Sequence, residues 1–429
     1  MNLLKRAILP KITEQLDNNL ILILIGARQT GKTYLLKLLE QRVQSHHSDS
    51  QLLYLNLEDE SLLLQIADYK SFLNFLKLRG IDGNKKAFIF LDEFQKLIQP
   101  TKLLKLIYDN HPRLKIIATG SSSLDIYKTM CAESMAGRKR IFNVYPLSFA
   151  EFLSWRYPDL SQIWQRIVKQ NLNASTSIAD FKLPFQEFAV FGGYPRAVLS
   201  ETNEEKQEEL KEIYNAYLQK DIAGILPAED RLNYNRLIAV LSSQIGNLLN
   251  VNELSNTLNC ARLAIERFLF ILENTFVVRR LPPYYTNKRK EITKMPKIYF
   301  LDAGLRNFTQ KNFAELAIRP DAGALAENAV FLELLKNSKV WHHLYFWRTA
   351  QGAEVDFVIA MDEKLFPIEV KFQSLKKPIV PSGLKAFINT YRSRQGFVLT
   401  KDFSAAAEYN GCRITFLPIF LATKIMAEI

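Results

Sequence analysis

Long apolar runs are missing from this 429-residue chain. No segment approaches the ~18 consecutive apolar residues that a membrane-spanning helix needs, so no span is expected. Residues 1–15 mix charges with apolar side chains and lack the apolar core of a secretory leader, which points to a cytoplasmic protein. Cysteine is scarce. Cys131, Cys260 and Cys412 lie far apart without metal-ligand spacing, so reduced thiols are expected rather than a disulfide framework. Histidine is scarce as well, and the pairs His46-His47 and His342-His343 lack the helical spacing of metal ligands. What remains is ordinary globular composition. A hydrophobic content of 48% excludes wholesale disorder, and the length suggests roughly two to four domains.

Residues 26–33 read Gly26-Ala27-Arg28-Gln29-Thr30-Gly31-Lys32-Thr33, a complete phosphate-binding loop. It follows the apolar run Leu20–Ile25 and opens a helical pattern, the strand–loop–helix context in which such a loop works. Gly26 and Gly31 permit backbone angles that let successive N–H groups converge on a phosphate. The helix N-terminus adds donors and the positive end of its dipole. In this reading ATP is the ligand, Lys32 reaches the β- and γ-phosphates, and the Thr33 hydroxyl holds Mg2+.

A second motif supports the first. The apolar run Ala87–Leu91 ends in Asp92-Glu93, a buried strand delivering two carboxylates at its C-terminal end. Asp92 is the candidate Mg2+ ligand through the water shell, and Glu93 the candidate general base for hydrolysis. Strand patterns at Leu20–Ile25, Leu52–Leu57, Phe88–Leu91, Leu114–Ala118 and Ile141–Val144 alternate with helical ones and predict a parallel sheet flanked by helices. The fourth strand runs into Thr119-Gly120-Ser121-Ser122-Ser123, where Thr119 or Ser121 is placed to sense a γ-phosphate. Arg138, just before the last strand, is a candidate arginine finger, within its own subunit or on a neighbour.

Four sections are expected: a P-loop ATPase core at 1–160, a helical lid at 161–230, a winged-helix domain at 231–310 and a small α/β domain at 311–429. The third follows from helical patterns at Tyr234–Ile245, Val251–Leu258 and Ala261–Asn274, then an apolar strip. Net charge is +12 and unevenly placed. Arg279, Arg280, Lys288, Arg289, Lys290, Lys294 and Lys297 cluster against one acid, Glu291, and seven more basic residues lie between Lys371 and Lys401 with no acid. Such stripes suit a phosphate backbone, while solvated surface is the plain alternative.

The last section carries a second constellation. Asp356 lies in an alternating strand, and Glu369-Val370-Lys371 lies on the strand that would pair with it. Residues i and i+2 share a strand face, so the carboxylates and the lysine gather on one side, as in a PD-(D/E)xK nuclease. Asp356 and Glu369, with Glu327 from an upstream helix, are candidate metal ligands, and Lys371 would orient water or stabilise the transition state. An exposed hairpin ion pair is the alternative.

Taken in order, further strings mark nearly the whole length: Phe-Leu-Asp-Glu at 90–93 with Gln95, Ala-Gly-Arg at 136–138, Tyr-Pro-Leu-Ser-Phe at 145–149, Gly-Gly-Tyr-Pro at 192–195, Tyr-Phe-Leu-Asp-Ala-Gly-Leu at 299–305, Glu-Asn at 327–328, Trp-Arg at 347–348, Glu-Val-Asp-Phe at 354–357 and Ile-Glu-Val-Lys at 368–371. With these the chain resembles the prokaryotic AAA-like P-loop ATPases whose C-terminal half is a domain of unknown function with a restriction-endonuclease-like end. The resemblance implies a RecA-like core with Glu93 catalytic, a winged-helix middle and a nuclease-like tail. Ala303 departs from the Thr or Ser frequent before that glycine. The expected function is a cytoplasmic Mg2+-dependent ATPase acting on DNA, its tail a nuclease or a nuclease-derived clamp. A nucleotide-driven switch with a silent tail, and an ATPase that grips a protein partner or assembles with its own copies, stay open.

Overall fold

The computed structural model describes residues 4–81, 83–121, 135–170 and 178–429. The chain divides into two compact units. The first comprises Met1–Pro146, Ala216–Ile225 and Asn274–Phe276; the second comprises Leu147–Asn215, Leu226–Glu273 and Val277–Ile429.

The first unit is built on five parallel strands, β1 (Ile21–Gly26), β2 (Gln51–Asn56), β3 (Ala87–Asp92), β4 (Leu114–Ser121) and β5 (Lys139–Asn143), in the spatial order β2-β3-β4-β1-β5. Each strand lies within a few residues of its expected place. The central strands β3 and β4 are buried along their whole length, which is why their sequences are near-continuously apolar. Side chains alternate between two cores because successive residues of a strand point to opposite faces. Ile89 and Leu91 pack with Phe72, Leu104 and Ile107 on one face, and Phe88 and Phe90 pack with Leu35, Leu36 and Val43 on the other. The covering helices Lys32–His46, Tyr69–Leu78 and Pro100–Asn110 start at a left-handed glycine, an aspartate cap (Asp68) and an N-terminal proline.

In the second unit, helices Ala228–Ser243, Val251–Leu258 and Arg262–Asn274 precede a two-stranded antiparallel ribbon, β6 (Val278–Leu281) and β7 (Lys297–Phe300). The first of these helices begins six residues before the expected Tyr234, because Pro227 caps it and Glu229 and Asp230 favour its first turn. Downstream, helix Ala322–Asn337 leads to a six-stranded mixed sheet. Its strands are β8 (His343–Arg348), β9 (Glu354–Met361), β10 (Lys364–Lys371), β11 (Gln395–Thr400), β12 (Ala405–Tyr409) and β13 (Cys412–Pro418), in the order β12-β13-β11-β10-β9-β8. Helix Ser382–Tyr391 connects β10 to its parallel neighbour β11.

Two of the marker strings are joined here for structural reasons. The buried Asp302 carboxylate accepts hydrogen bonds from the N–H groups of Gly193 (2.8 Å) and Leu305 (2.9 Å). Gly192 sits at φ +76°, and a Cβ there would lie 2.2 Å from Asp302 Oδ1. Gly304 likewise leaves room for the Phe191 carbonyl. Glycine is required at both because backbone and carboxylate pass where a side chain would stand. Among the described residues no helix is long and apolar enough to cross a membrane. Cys260 and Cys412 are free thiols; Cys131 lies outside the described residues.

Candidate nucleotide site and a buried carboxylate cluster

The phosphate-binding loop leaves β1 at its C-terminal edge and enters helix Lys32–His46 through Gly31, at φ 88°. A Cβ on Gly26 would lie 2.1 Å from the Val144 carbonyl oxygen, so this position admits only glycine. Gln29 is held at φ 61°, and its side-chain Oε1 is buried with no partner among the described residues. The Arg6 guanidinium braces the loop, donating to the Thr30 carbonyl (2.8 Å) and to that of Tyr145 (2.8 Å). The buried Lys32 ammonium donates to the carbonyls of Gly26 (3.1 Å) and Ala27 (2.8 Å). Burial pushes its pKa down to about 8, against the pull of Glu93 and Asp221.

Asp92 ends β3 beside this loop. Its Oδ1 accepts from the Thr33 hydroxyl at 3.3 Å and from the Thr119 hydroxyl, and its Oδ2 accepts from Tyr54 at 2.8 Å. Burial and that bond to Asp92 raise the Tyr54 pKa, keeping the phenol a donor. Glu93 follows in a left-handed conformation, φ 60°, with its N–H donated to Thr119 Oγ1 at 3.2 Å. A non-glycine residue at that angle costs of order 1 kcal/mol or more and persists only where its surroundings hold it. The Gln95 amide donates both to the Glu93 carboxylate and to Ser121 Oγ (3.0 Å), tying Glu93 to the end of β4. Ser122 and Ser123 lie outside the described residues.

Arg138 is elsewhere. β5 runs parallel to β1 with Lys139 beside Ile21, so Arg138 stands at the N-terminal edge of the sheet. The loop begins five residues along β1, roughly 17 Å away at the usual strand rise. Arg138 Nε pairs instead with Asp109 Oδ1 at 2.7 Å. Within one chain it does not reach the phosphate loop, which removes one of its two expected modes of action.

The residue that does approach the loop was not singled out by the sequence. Asp221, on the π-helical turn Tyr217–Ile222, pairs with Arg28 Nε at 2.6 Å. Its carboxylate is buried, and burial raises its pKa against the lowering influence of Arg28. Nearly two hundred residues separate the partners, so no local pattern announces the pair.

The residues match what ATP and Mg2+ require: a glycine cradle, a buried lysine, and a hydroxyl and carboxylate already converging on each other.

In the second unit, the hairpin register Ile368 with Phe357 sets Glu369 beside Asp356, as expected. Asp356 Oδ2 accepts from the Val370 N–H at 2.7 Å, and Lys371 Nζ pairs with Glu369 Oε1 at 2.7 Å. Glu327 joins them from helix Ala322–Asn337, and its Oε1 accepts from the Tyr299 hydroxyl at 2.5 Å. The unexpected member is Lys297. Read from sequence as part of a basic surface stripe, it is only 2% exposed. Its ammonium lies 2.6 Å from Glu354 Oε1, 3.2 Å from Glu327 Oε1 and 3.8 Å from Asp356 Oδ1. Burial opposes the charge, yet Glu327, Asp356 and Glu354 together raise the Lys297 pKa above its ordinary value. Burial also pushes Glu327 and Glu369 up to about 7 and raises Asp356.

This arrangement does not fit a divalent metal on Glu327, Asp356 and Glu369. Among the described residues no group of three or more His, Cys, Asp or Glu side chains could hold a metal ion. Lys297 and Tyr299 occupy Glu327 Oε1 and the Val370 N–H occupies Asp356 Oδ2, while Glu369 Oε2 is buried with no hydrogen-bond partner among the described residues.

The Arg28–Asp221 pair is open to a double-mutant cycle by urea denaturation. Asp221→Ala should cost ~2–4 kcal/mol, because it leaves a half-buried guanidinium unpaired. Arg28→Met with Asp221→Ala should cost clearly less than the two single changes added together.

Residues 18–153 match the family model described as "AAA domain". Residues 183–316 match "Domain of unknown function (DUF8612)", and residues 322–420 match "Domain of unknown function (DUF4143)". An uncharacterised protein of Haemophilus influenzae is 24% identical over 408 residues, 94% of each chain. Another, from Methanocaldococcus jannaschii, is 27% identical over 351 residues, covering 81% of this chain and 73% of its own. Among solved structures, the Aeropyrum pernix ORC1 protein in complex with DNA is similar at 13% identity, covering 71% of this chain and 92% of that one. Its TM-score of 0.31 is too low to carry any argument about this chain. The sheet, the loop and the family match agree: this chain carries an AAA domain of the P-loop ATPase type.

Proposed function

We propose that this protein is a Mg2+-dependent ATPase that acts on DNA, with a second unit that ends in a nuclease-derived clamp. The observation that carries the reading is the meeting of Lys32 and Thr33 with Asp92 and Glu93 at one edge of a parallel sheet. In this reading Lys32 leaves its two carbonyl acceptors and pairs with β- and γ-phosphate oxygens. Thr33 and Asp92 would hold Mg2+, which would supply positive charge against the phosphates. Glu93 orients the attacking water and takes its proton. Gln95 and Ser121 fix the Glu93 carboxylate, and Thr119 fixes its backbone.

The DNA half of the proposal is supported by the second unit. Three helices followed by an antiparallel ribbon, with Leu248 bridged to Lys297, follow the order of a winged helix. Arg279, Lys288, Arg289, Lys290 and Lys294 are exposed on or beside that ribbon, and Lys376, Lys377, Arg392, Arg394 and Lys401 are exposed around the mixed sheet. A hairpin presenting Asp356 against Glu369 and Lys371, with Glu327 on a preceding helix, supports the nuclease-like origin of the tail. The lysine-filled cluster favours a clamp over a cutting enzyme.

Lys32→Ala should abolish triphosphate binding, and Glu93→Gln should keep binding while losing hydrolysis; normal turnover in Glu93→Gln would remove Glu93 as the base. With a Lys32 pKa of about 8, nearly half of the chains hold a neutral lysine at pH 8. A triphosphate restores its charge, so binding should take up about half a proton at pH 8 and almost none at pH 6. Calorimetry in buffers of different ionisation enthalpy reads this directly. DNA retention should fall steeply with salt, and joint replacement of Lys288, Arg289 and Lys290 by Ala should reduce the salt slope by ~2–3. Retention that ignores both would shift the proposal to a protein partner.

A further inference from the structure

The cluster in the second unit holds four carboxylates, Glu327, Glu354, Asp356 and Glu369, and what holds their charge together is a lysine from another sheet. Lys297 begins β7, the ribbon strand, and is buried to 2% exposure. Its three ammonium hydrogens face Glu354 (2.6 Å), Glu327 (3.2 Å) and Asp356 (3.8 Å). A side chain with four methylenes is rarely buried unless its charge is matched. Here the match comes from three carboxylates on two different elements: Glu327 on helix Ala322–Asn337 and, on β9, two residues that share a strand face. Tyr299, two residues along β7 on the same side as Lys297, donates to the same Glu327 oxygen. The backbone of Gly246 closes the other flank, where a Cβ would lie 3.2 Å from Glu327 Oε1. A divalent ion here would sit about 2.0–2.6 Å from its oxygens, and the ammonium already stands between those same oxygens.

We propose that Lys297 is the resident cation of this site. Its ammonium takes the place between Glu327 and Asp356 that a metal takes in a cutting nuclease, so the cluster is an ion-pair node rather than a metal centre. The node locks the β6–β7 ribbon, and with it the exposed basic helix Lys288–Thr293, to the mixed sheet that carries the second basic stripe. Lys297 is therefore a positioning residue, and the surface it positions is one that grips a phosphate backbone without cleaving it. The proposal rests on the nuclease-derived reading of the tail and is independent of the ATPase chemistry.

The test is Mn2+ binding to the nucleotide-free full-length protein, followed by electron paramagnetic resonance. Wild type is compared with Asp356→Asn and Glu369→Gln, and Lys297→Met with the double change Lys297→Met/Asp356→Asn. Any Mn2+ held near Thr33 and Asp92 is common to every sample and cancels. The expected result is that Asp356→Asn and Glu369→Gln leave wild-type Mn2+ binding unchanged. Lys297→Met gains a further Mn2+ site, with Glu369 Oε2, now without a hydrogen-bond partner, available to it, and Asp356→Asn removes that site. Loss of a Mn2+ site from wild type on either carboxylate change overturns the proposal, as does a folded Lys297→Met protein that gains none. If Lys297→Met does not fold, the wild-type comparison still decides. DNA retention measured on the same samples tests the clamp separately: Lys297→Met should weaken retention, whereas a wild-type protein that retains no DNA refutes the clamp and leaves the lysine node standing.

Discussion

Asp92 lies buried at the end of β3, and hydroxyl groups from Thr33, Thr119 and Tyr54 close on its two oxygens. Asp221 lies buried against Arg28, and Asp356 and Glu327 lie buried against Lys297. A carboxylate taken out of water must be matched by donors or cations, or it protonates. Each functional feature of this protein is a different solution to that one requirement. Hydroxyl donors leave Asp92 able to exchange them for the water shell of a metal. A guanidinium gives Asp221 a strong partner, but one shared with the phosphate loop. A lysine gives the second-unit cluster a permanent charge.

These solutions differ in how readily they can be undone. Hydrogen bonds from hydroxyls are modest in net strength and can be traded without stranding a charge. An ion pair buried on both sides cannot, because removing either partner strands the other. The first unit therefore carries an exchangeable site at its sheet edge, while the second carries a fixed one. The turn Tyr217–Ile222 that carries Asp221 is continuous in the chain with helices Asn203–Ala216 and Ala228–Ser243 of the second unit.

The legible part of the chain was the part written in local patterns. The buried strands β1, β3 and β4 announced themselves by apolar runs, because a parallel sheet covered on both faces tolerates little else. The phosphate loop was legible because its chemistry fixes residue types at fixed spacing, and Asp92 and Glu93 because a strand end has only one place to deliver them. The glycine strings at 192–193 and 304 were visible as strings, but their reason was not. Only the packing shows that they make room for Asp302 and for the Phe191 carbonyl.

By itself the sequence determined the strand–loop–helix of the nucleotide site, the three helices that precede β6, and the pairing of Asp356 with Glu369. All of these follow from periodicity and from spacing along a few residues. The tertiary structure decided which charges meet. It set Arg138 against Asp109 at the N-terminal edge of the sheet, away from the phosphate loop of its own chain. It brought Asp221 to Arg28 across nearly two hundred residues, and it drew Lys297 out of an apparent surface stripe into a nest of carboxylates. Charge in a sequence has sign and position, but whether it is solvated or matched depends on what the fold sets opposite it.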